Sequence, residues 1–152
     1  MEALSVRDAV PADRDAVQRL FRLASLSNDG DRDNLLANPD ALVFSDVAIT
    51  EQRTRVATDV DAVVVGFATT AEGAGGLELE DLFVAPDQMR QGVGRALVLD
   101  IVARAQQAGI ERIEVTANRH ALAFYDAVGF ANEHDVETRI GPAPRMYLEV
   151  RP

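Results

Sequence analysis

Apolar and polar positions alternate over Leu4–Ala9, which predicts a short first strand. Pro11-Ala12-Asp13 then opens a helix, with Asp13 as its N-cap, and Val17, Leu20, Phe21 and Ala24 fall three and four residues apart on one face. In Asp29–Gln52, Leu35, Leu36, Leu42, Val43 and Phe44 predict one or two short helices broken at Pro39. Two antiparallel strands follow, Arg53–Thr58 and Ala62–Thr70, joined around Asp59-Val60-Asp61. The glycines of Gly73-Ala74-Gly75-Gly76 mark a turn before a further strand, Leu77–Val84. The period then changes to that of a helix, with Val93, Leu97, Ile101, Ala105 and Ala108 as its apolar stripe and Gly109 as its end. Arg112–Ala117 is a strand with Ile113, Val115 and Ala117 on one face. A short helix His120–Val128 stops at Gly129, and Phe130–Glu137 and Met146–Val150 are the last strands. This order predicts a mixed sheet with helices on both faces.

Length and composition narrow the classes. The 152 residues suit one domain, and 47% apolar content suits a buried core. Cysteine is absent, which excludes disulfides, thiolate metal sites and thiol nucleophiles. No apolar run approaches the roughly 20 residues that span a bilayer, and the first residues lack the pattern of a signal peptide. Cytoplasm is therefore the expected location. The net charge is −10 and all 15 basic residues are Arg. Such a chain repels nucleic acid, whose binding draws on Lys and Arg neutralising phosphate. Its field favours cationic small molecules, although acidity also simply keeps a protein in solution. Neither His120 nor His134 has a partner at metal-ligand spacing, so no metal is expected.

The segment from Leu82-Phe83-Val84 through Met89-Arg90-Gln91-Gly92-Val93-Gly94-Arg95 joins a strand to a helix through closely spaced glycines. Glycine lets backbone approach a ligand, and the first N–H groups of a helix attract anions, so a pyrophosphate fits here. A helix entry that binds nothing fits Gly92-Val93-Gly94 equally well. A second segment, Asn118 through Phe124-Tyr125 to Gly129-Phe130, sets an Asn, an aromatic pair and Gly-Phe at fixed offsets.

Together the two segments resemble the GCN5-related N-acetyltransferase (GNAT) family, closely over Glu78–Phe130 and in element order from Leu4 to Val150. The resemblance implies one α/β domain of the α+β type over residues 1–152, with a mixed, mostly antiparallel sheet. It implies acetyl-coenzyme A (acetyl-CoA) as co-substrate, cradled at its pyrophosphate by Met89, Arg90, Gln91, Gly92, Val93, Gly94 and Arg95. It places Leu82, Phe83 and Val84 along the pantetheine arm, with a strand bulge near Phe83 freeing an N–H for the acetyl carbonyl. It also sets Asn118, Phe124 and Tyr125 near the cofactor. Relatives usually carry Gln or Arg where this chain has Met89, and Gly where it has Arg90. Backbone contacts should preserve binding, and Arg90 or Arg95 can pair with phosphate.

An alkylammonium must lose a proton before it attacks a thioester, and a carboxylate can take it directly or through water. Glu78 and Glu80 share one face of their strand, while Asp81 faces the other way. The resemblance makes either a candidate base, with Glu80 favoured as nearer the expected thioester. Tyr125 is the candidate to assist the departing thiolate, although transfer from a phenol with pKa about 10 to a thiolate of about 8.5 is uphill. Asn118 also suits a helix cap, and Arg145 a contact to an acidic acceptor. The acceptor is a small amine or a peptide amine, shaped by Asp29–Gln52 and Asp135–Arg145; homodimers are common among relatives, and neither nucleic acid nor membrane is an expected partner.

Two other readings compete. A dinucleotide oxidoreductase would need a third glycine where Leu97 stands, and seven residues separate Val84 from Gly92. A non-catalytic acyl-CoA sensor on the same fold would have no use for Glu78, Glu80 and Tyr125.

Overall fold

The computed structural model describes residues 4–27, 33, 35–37, 44–89, 91–118, 121–138 and 141–150. Seven strands form one sheet: β1 (Ser5–Asp8), β2 (Thr54–Thr58), β3 (Val64–Gly73), β4 (Gly76–Val84), β5 (Arg112–Thr116), β6 (Ala131–Thr138) and β7 (Gly141–Glu149). The order is β1-β2-β3-β4-β5-β7-β6. The pairings β1–β2, β2–β3, β5–β7 and β6–β7 are antiparallel, and β4–β5 is parallel. Helices among the described residues include α1 (Arg14–Leu26), α2 (Val47–Thr50), α3 (Val93–Gln107) and α4 (Leu122–Ala127). Pro39 of the predicted helical break lies outside the described residues, as do Arg90 and His120. No helix among the described residues is long and apolar enough to cross a membrane.

The chain divides into two compact units and passes between them within β3, β4 and α3. Unit 1 holds residues 1–69 and 81–97. Its core joins Val17 and Leu20 of α1 to Ala9, Ile49, Val56 and Phe67, with Phe21, Phe44 and Phe83 packed against them. Phe83 stacks on Phe67 with ring centroids 5.5 Å apart and meets Phe21 edge-on at 5.0 Å. Burying side chains of this size stabilises by about 1.5–3 kcal/mol each. Gly66 precedes Phe67 on β3 and so faces the opposite side, where a Cβ would lie 2.6 Å from Val93 and 3.1 Å from Leu97 of α3. Helices thus cover both faces of β3, as the element order predicts.

Asp13 departs from the cap expected of it. Its carboxylate turns back, accepting the Val10 N–H at 2.8 Å and both arms of Arg7 at 2.8 and 3.0 Å, with no side-chain cap bond into α1.

Unit 2 holds residues 70–80 and 98–152. Ile113, Val115 and Ala117 are buried as predicted, along with Leu79, Ile101, Tyr125, Phe130 and Met146. The last strand starts at Gly141 rather than Met146, five residues early. Pro142 and Pro144 hide it in the sequence, because proline cannot donate to a ladder. The strand tolerates them because its ladder with β5 covers only Arg145–Glu149, and both prolines lie beyond it. Pro144 still serves as an acceptor, its carbonyl taking the Ala117 N–H at 2.8 Å.

Candidate active site

Unit 1 supplies the glycine loop. After β4 the chain makes a single 3-10 turn, Pro86–Gln88, and reaches Gly92 at φ +84°, a conformation that side chains rarely adopt. A Cβ there would meet nothing within 4 Å, so the backbone angle rather than crowding selects glycine. The Gly92 carbonyl accepts the Ala96 N–H at 2.9 Å and starts the helical ladder. The N–H groups of Val93, Gly94 and Arg95 therefore have no carbonyl four residues back within α3. The first turn of α3 carries no acidic residue, so nothing there competes with an incoming anion. Val93 is buried at 1% exposure and anchors the turn, while Met89, Gln91, Gly92 and Arg95 are exposed.

Gly66, absent from the residues the sequence singles out, sets the position of this turn. Its lack of a side chain lets Val93 and Leu97 lie against β3 beside the Phe83 carbonyl. The available signal was a glycine inside the otherwise apolar run Val64-Val65-Gly66-Phe67, a mark of close backbone approach. The Ala85 N–H bonds to the Val65 carbonyl at 2.9 Å and fixes the start of the loop to the same strand. Leu82, Phe83 and Val84 lie beyond the parallel ladder of β4 with β5, which covers Leu77–Leu79.

Unit 2 carries the carboxylates. Leu79 is buried at 2% exposure, so the strand turns Glu78 and Glu80 to the other face, as their spacing predicts. Glu80 is exposed. Glu78 is held by Arg145, whose two terminal nitrogens donate to its two oxygens at 2.7 and 2.5 Å. The Arg145 guanidinium is held above its ordinary pKa, chiefly by these hydrogen bonds; burial opposes the shift, and the charges of Glu78, Glu114 and Glu133 add to it. Sequence reasoning offered Arg145 to an acceptor, whereas the structure gives it to Glu78.

The aromatic pair is also in unit 2. Tyr125 is 5% exposed, its ring edge-on to Phe124 at 5.2 Å and to Phe130 at 5.3 Å. The N-cap of α4 is Ala121, which makes no side-chain cap bond, and Asn118 contributes its carbonyl to the Ala121 N–H at 2.9 Å. His134 is exposed, 4.0 Å from a Glu133 oxygen, and no metal-ligand cluster occurs among the described residues. An open depression of about 510 Å³ lies between residues 72–76 and 109–112, and none of the predicted site residues lines it.

The sequence profile of the acetyltransferase (GNAT) domain matches residues 43–141, and the chain belongs to that family. Among solved structures, Ard1 from Thermoplasma volcanium aligns with a TM-score of 0.77 at 20% identity, covering 99% of both chains. The PaiA N-acetyltransferase of Thermoplasma acidophilum, solved in complex with coenzyme A, aligns at 0.76 and 17% identity over 97% of this chain and 99% of that one. A curated relative, the thialysine N-epsilon-acetyltransferase of Caenorhabditis elegans, is 36% identical over 59 residues. That match spans 37% of this chain and 37% of the relative's length.

Proposed function

We propose that this chain is an acetyl-CoA-dependent N-acetyltransferase that passes the acetyl group directly to an amine. The observation that carries the reading is the helix entry at Gly92, where N–H donors open onto exposed residues with no carboxylate in the first turn. The coenzyme A complex of the PaiA relative supports the same ligand here, and the relative named for N-epsilon acetylation supports an amine acceptor.

In this reading the pyrophosphate is held by the backbone and side chains of Met89–Arg95, and the pantetheine arm runs along Leu82, Phe83 and Val84, with Asn118 and Phe124 beside the cofactor. A carboxylate of the Glu78–Glu80 face takes one proton from the ammonium. The nitrogen lone pair attacks the thioester carbon, and a backbone N–H near Phe83 stabilises the oxyanion. The C–S bond then breaks as the C–N bond is kept. Coenzyme A leaves as a thiolate, assisted by the Tyr125 hydroxyl, and takes up the second proton released by the nitrogen. Cytoplasmic location, and an acceptor that is a small amine or a peptide amine, belong to the same proposal.

The test is calorimetry of the purified chain with acetyl-CoA, followed by thiol release across a panel of amines. Binding in the micromolar range and turnover of at least one amine are expected. Gly92→Asp, which adds a negative charge and a strained φ at the loop, should lose binding while remaining folded. Equal affinity in this variant would remove the loop from the site, and binding without turnover of any amine would favour an acyl-CoA sensor.

A further inference from the structure

Four phenylalanines from separate parts of the chain close into a circuit within unit 1. Phe21 of α1 lies 5.8 Å from Phe44, centroid to centroid, and meets Phe83 of β4 edge-on at 5.0 Å. Phe67 of β3 meets Phe44 edge-on at 5.1 Å and stacks on Phe83 at 5.5 Å. Aromatic pairs prefer edge-to-face and offset arrangements, so such contacts fix the orientation of a ring as well as its distance. Phe67 is fully buried, and Phe21, Phe44 and Phe83 are half-buried around it. Phe44 is held to α1 a second time, its N–H donating to Gln18 Oε1 at 2.8 Å. Gln18 and Phe21 lie one turn apart on the same face of the helix.

The main chain of Phe83 is tied down from the side of β3. Its carbonyl would stand 3.1 Å from a Cβ on Gly66, and the Ala85 N–H bonds to the Val65 carbonyl at 2.9 Å. The strand segment before the loop is therefore set by β3 through its backbone, and by Phe67 and Phe21 through its ring. We propose that Phe21 is a positioning residue for acetyl transfer: its ring, braced by Phe44, orients Phe83 and so aims the backbone N–H that meets the oxyanion. The inference deepens the acetyltransferase reading and rests on it. A donor of this kind acts only where charge develops, and a displacement too small to unfold a protein still costs rate. Leucine at position 21 would keep apolar volume but offer no ring edge to Phe83.

The experiment compares F21L, F21Y and L20A with the wild-type chain, below the unfolding midpoint of every variant. The readouts are kcat and KM on the best acceptor among thialysine, spermidine and a peptide with a free α-amine, the calorimetric affinity for acetyl-CoA, and the thermal midpoints. F21L should lower kcat by about 10-fold, less than the roughly 100- to 1,000-fold of an oxyanion donor removed outright. Its affinity and KM for acetyl-CoA should stay within about threefold, because the lost interaction belongs to the transition state. F21Y keeps the ring and should retain kcat within about threefold. Leu20 is a buried residue of the same helix. L20A should lower the midpoint at least as far as F21L yet leave kcat within about twofold, since it empties a core position without touching the ring circuit.

A merely structural Phe21 would make kcat follow the midpoint, with L20A the slower enzyme. If F21L keeps its kcat, if F21Y loses as much as F21L, or if L20A loses as much as either, the assignment is overturned while the acetyltransferase reading stands. Loss of acetyl-CoA affinity in F21L with kcat intact would overturn it as well, because the ring would then shape the cofactor site. If the wild-type chain turns over no amine, that reading fails and the assignment falls with it.

Discussion

In unit 1 the strand that feeds the glycine loop is fixed by interlocked rings, Phe83 against Phe67 and Phe21, and by a helix turn seated on Gly66. In unit 2 the face bearing Glu78 and Glu80 is fixed by ion pairs, with Arg145 and Arg112 set among Glu78, Glu114, Glu133 and Glu149. In the proposed acetyl-CoA site the first region would offer backbone, so the side chains at its loop, Met89 among them, can vary. In the same proposal the second would offer side chains, so its chemistry would follow their charge. Steric change should therefore break the first region, and charge change the second.

The largest effect expected is at Gly66. In Gly66→Val a branched side chain would meet Val93, Leu97 and the Phe83 carbonyl, and backbone cannot give way cheaply. Overpacking of this kind costs about 1–3 kcal/mol, and the displaced helix entry should lose acetyl-CoA binding altogether. Chemical denaturation together with calorimetry measures both, and a stable variant that still binds would show that the seat on β3 does not set the loop.

Tyr125→Phe is gentler. It keeps the ring packing against Phe124 and Phe130 and removes only the hydroxyl. The turnover number should drop by about 10- to 100-fold, at or below the lower end for general acid assistance, with cofactor affinity nearly constant. Unchanged turnover would take Tyr125 out of the mechanism.

The smallest effect concerns a charge inside the apolar region. The Arg7 guanidinium holds the Asp13 carboxyl below the usual carboxylate range; burial opposes this, and the Val10 N–H assists. A carboxyl whose native pKa lies below its unfolded value stabilises the fold fully above the unfolded value, near 3.9, and loses that contribution as pH falls through the native value. Urea unfolding of wild type and Asp13→Asn should differ modestly at neutral pH and converge in acid. A gap that persists undiminished at the lowest pH would assign the difference to something other than this pair.

Much of this was legible in the sequence because it is local. The period of Val93, Leu97 and Ile101, the glycine at position 92 and the alternation around Leu79 each act within a few residues. What stayed hidden joins distant segments: Arg145 meets Glu78 across 67 positions, and no periodicity encodes that pairing. The first half of β7 was obscured by Pro142 and Pro144, whose usual meaning as strand breakers is cancelled because both lie beyond the ladder with β5. At Asp13 the residue type indicates a cap on α1 but not the direction in which the carboxylate turns.

The outermost strand has a consequence for solution behaviour. β6 closes the sheet order, and Ala131–Asp135 are all exposed, with a register shift between Asn132 and His134. Glu133, Asp135 and Glu137 lie along it, so a second copy approaching edge to edge would bring carboxylates against carboxylates across an uneven ladder. The rim that could otherwise template fibrils is thus guarded by its own charge and by its broken register.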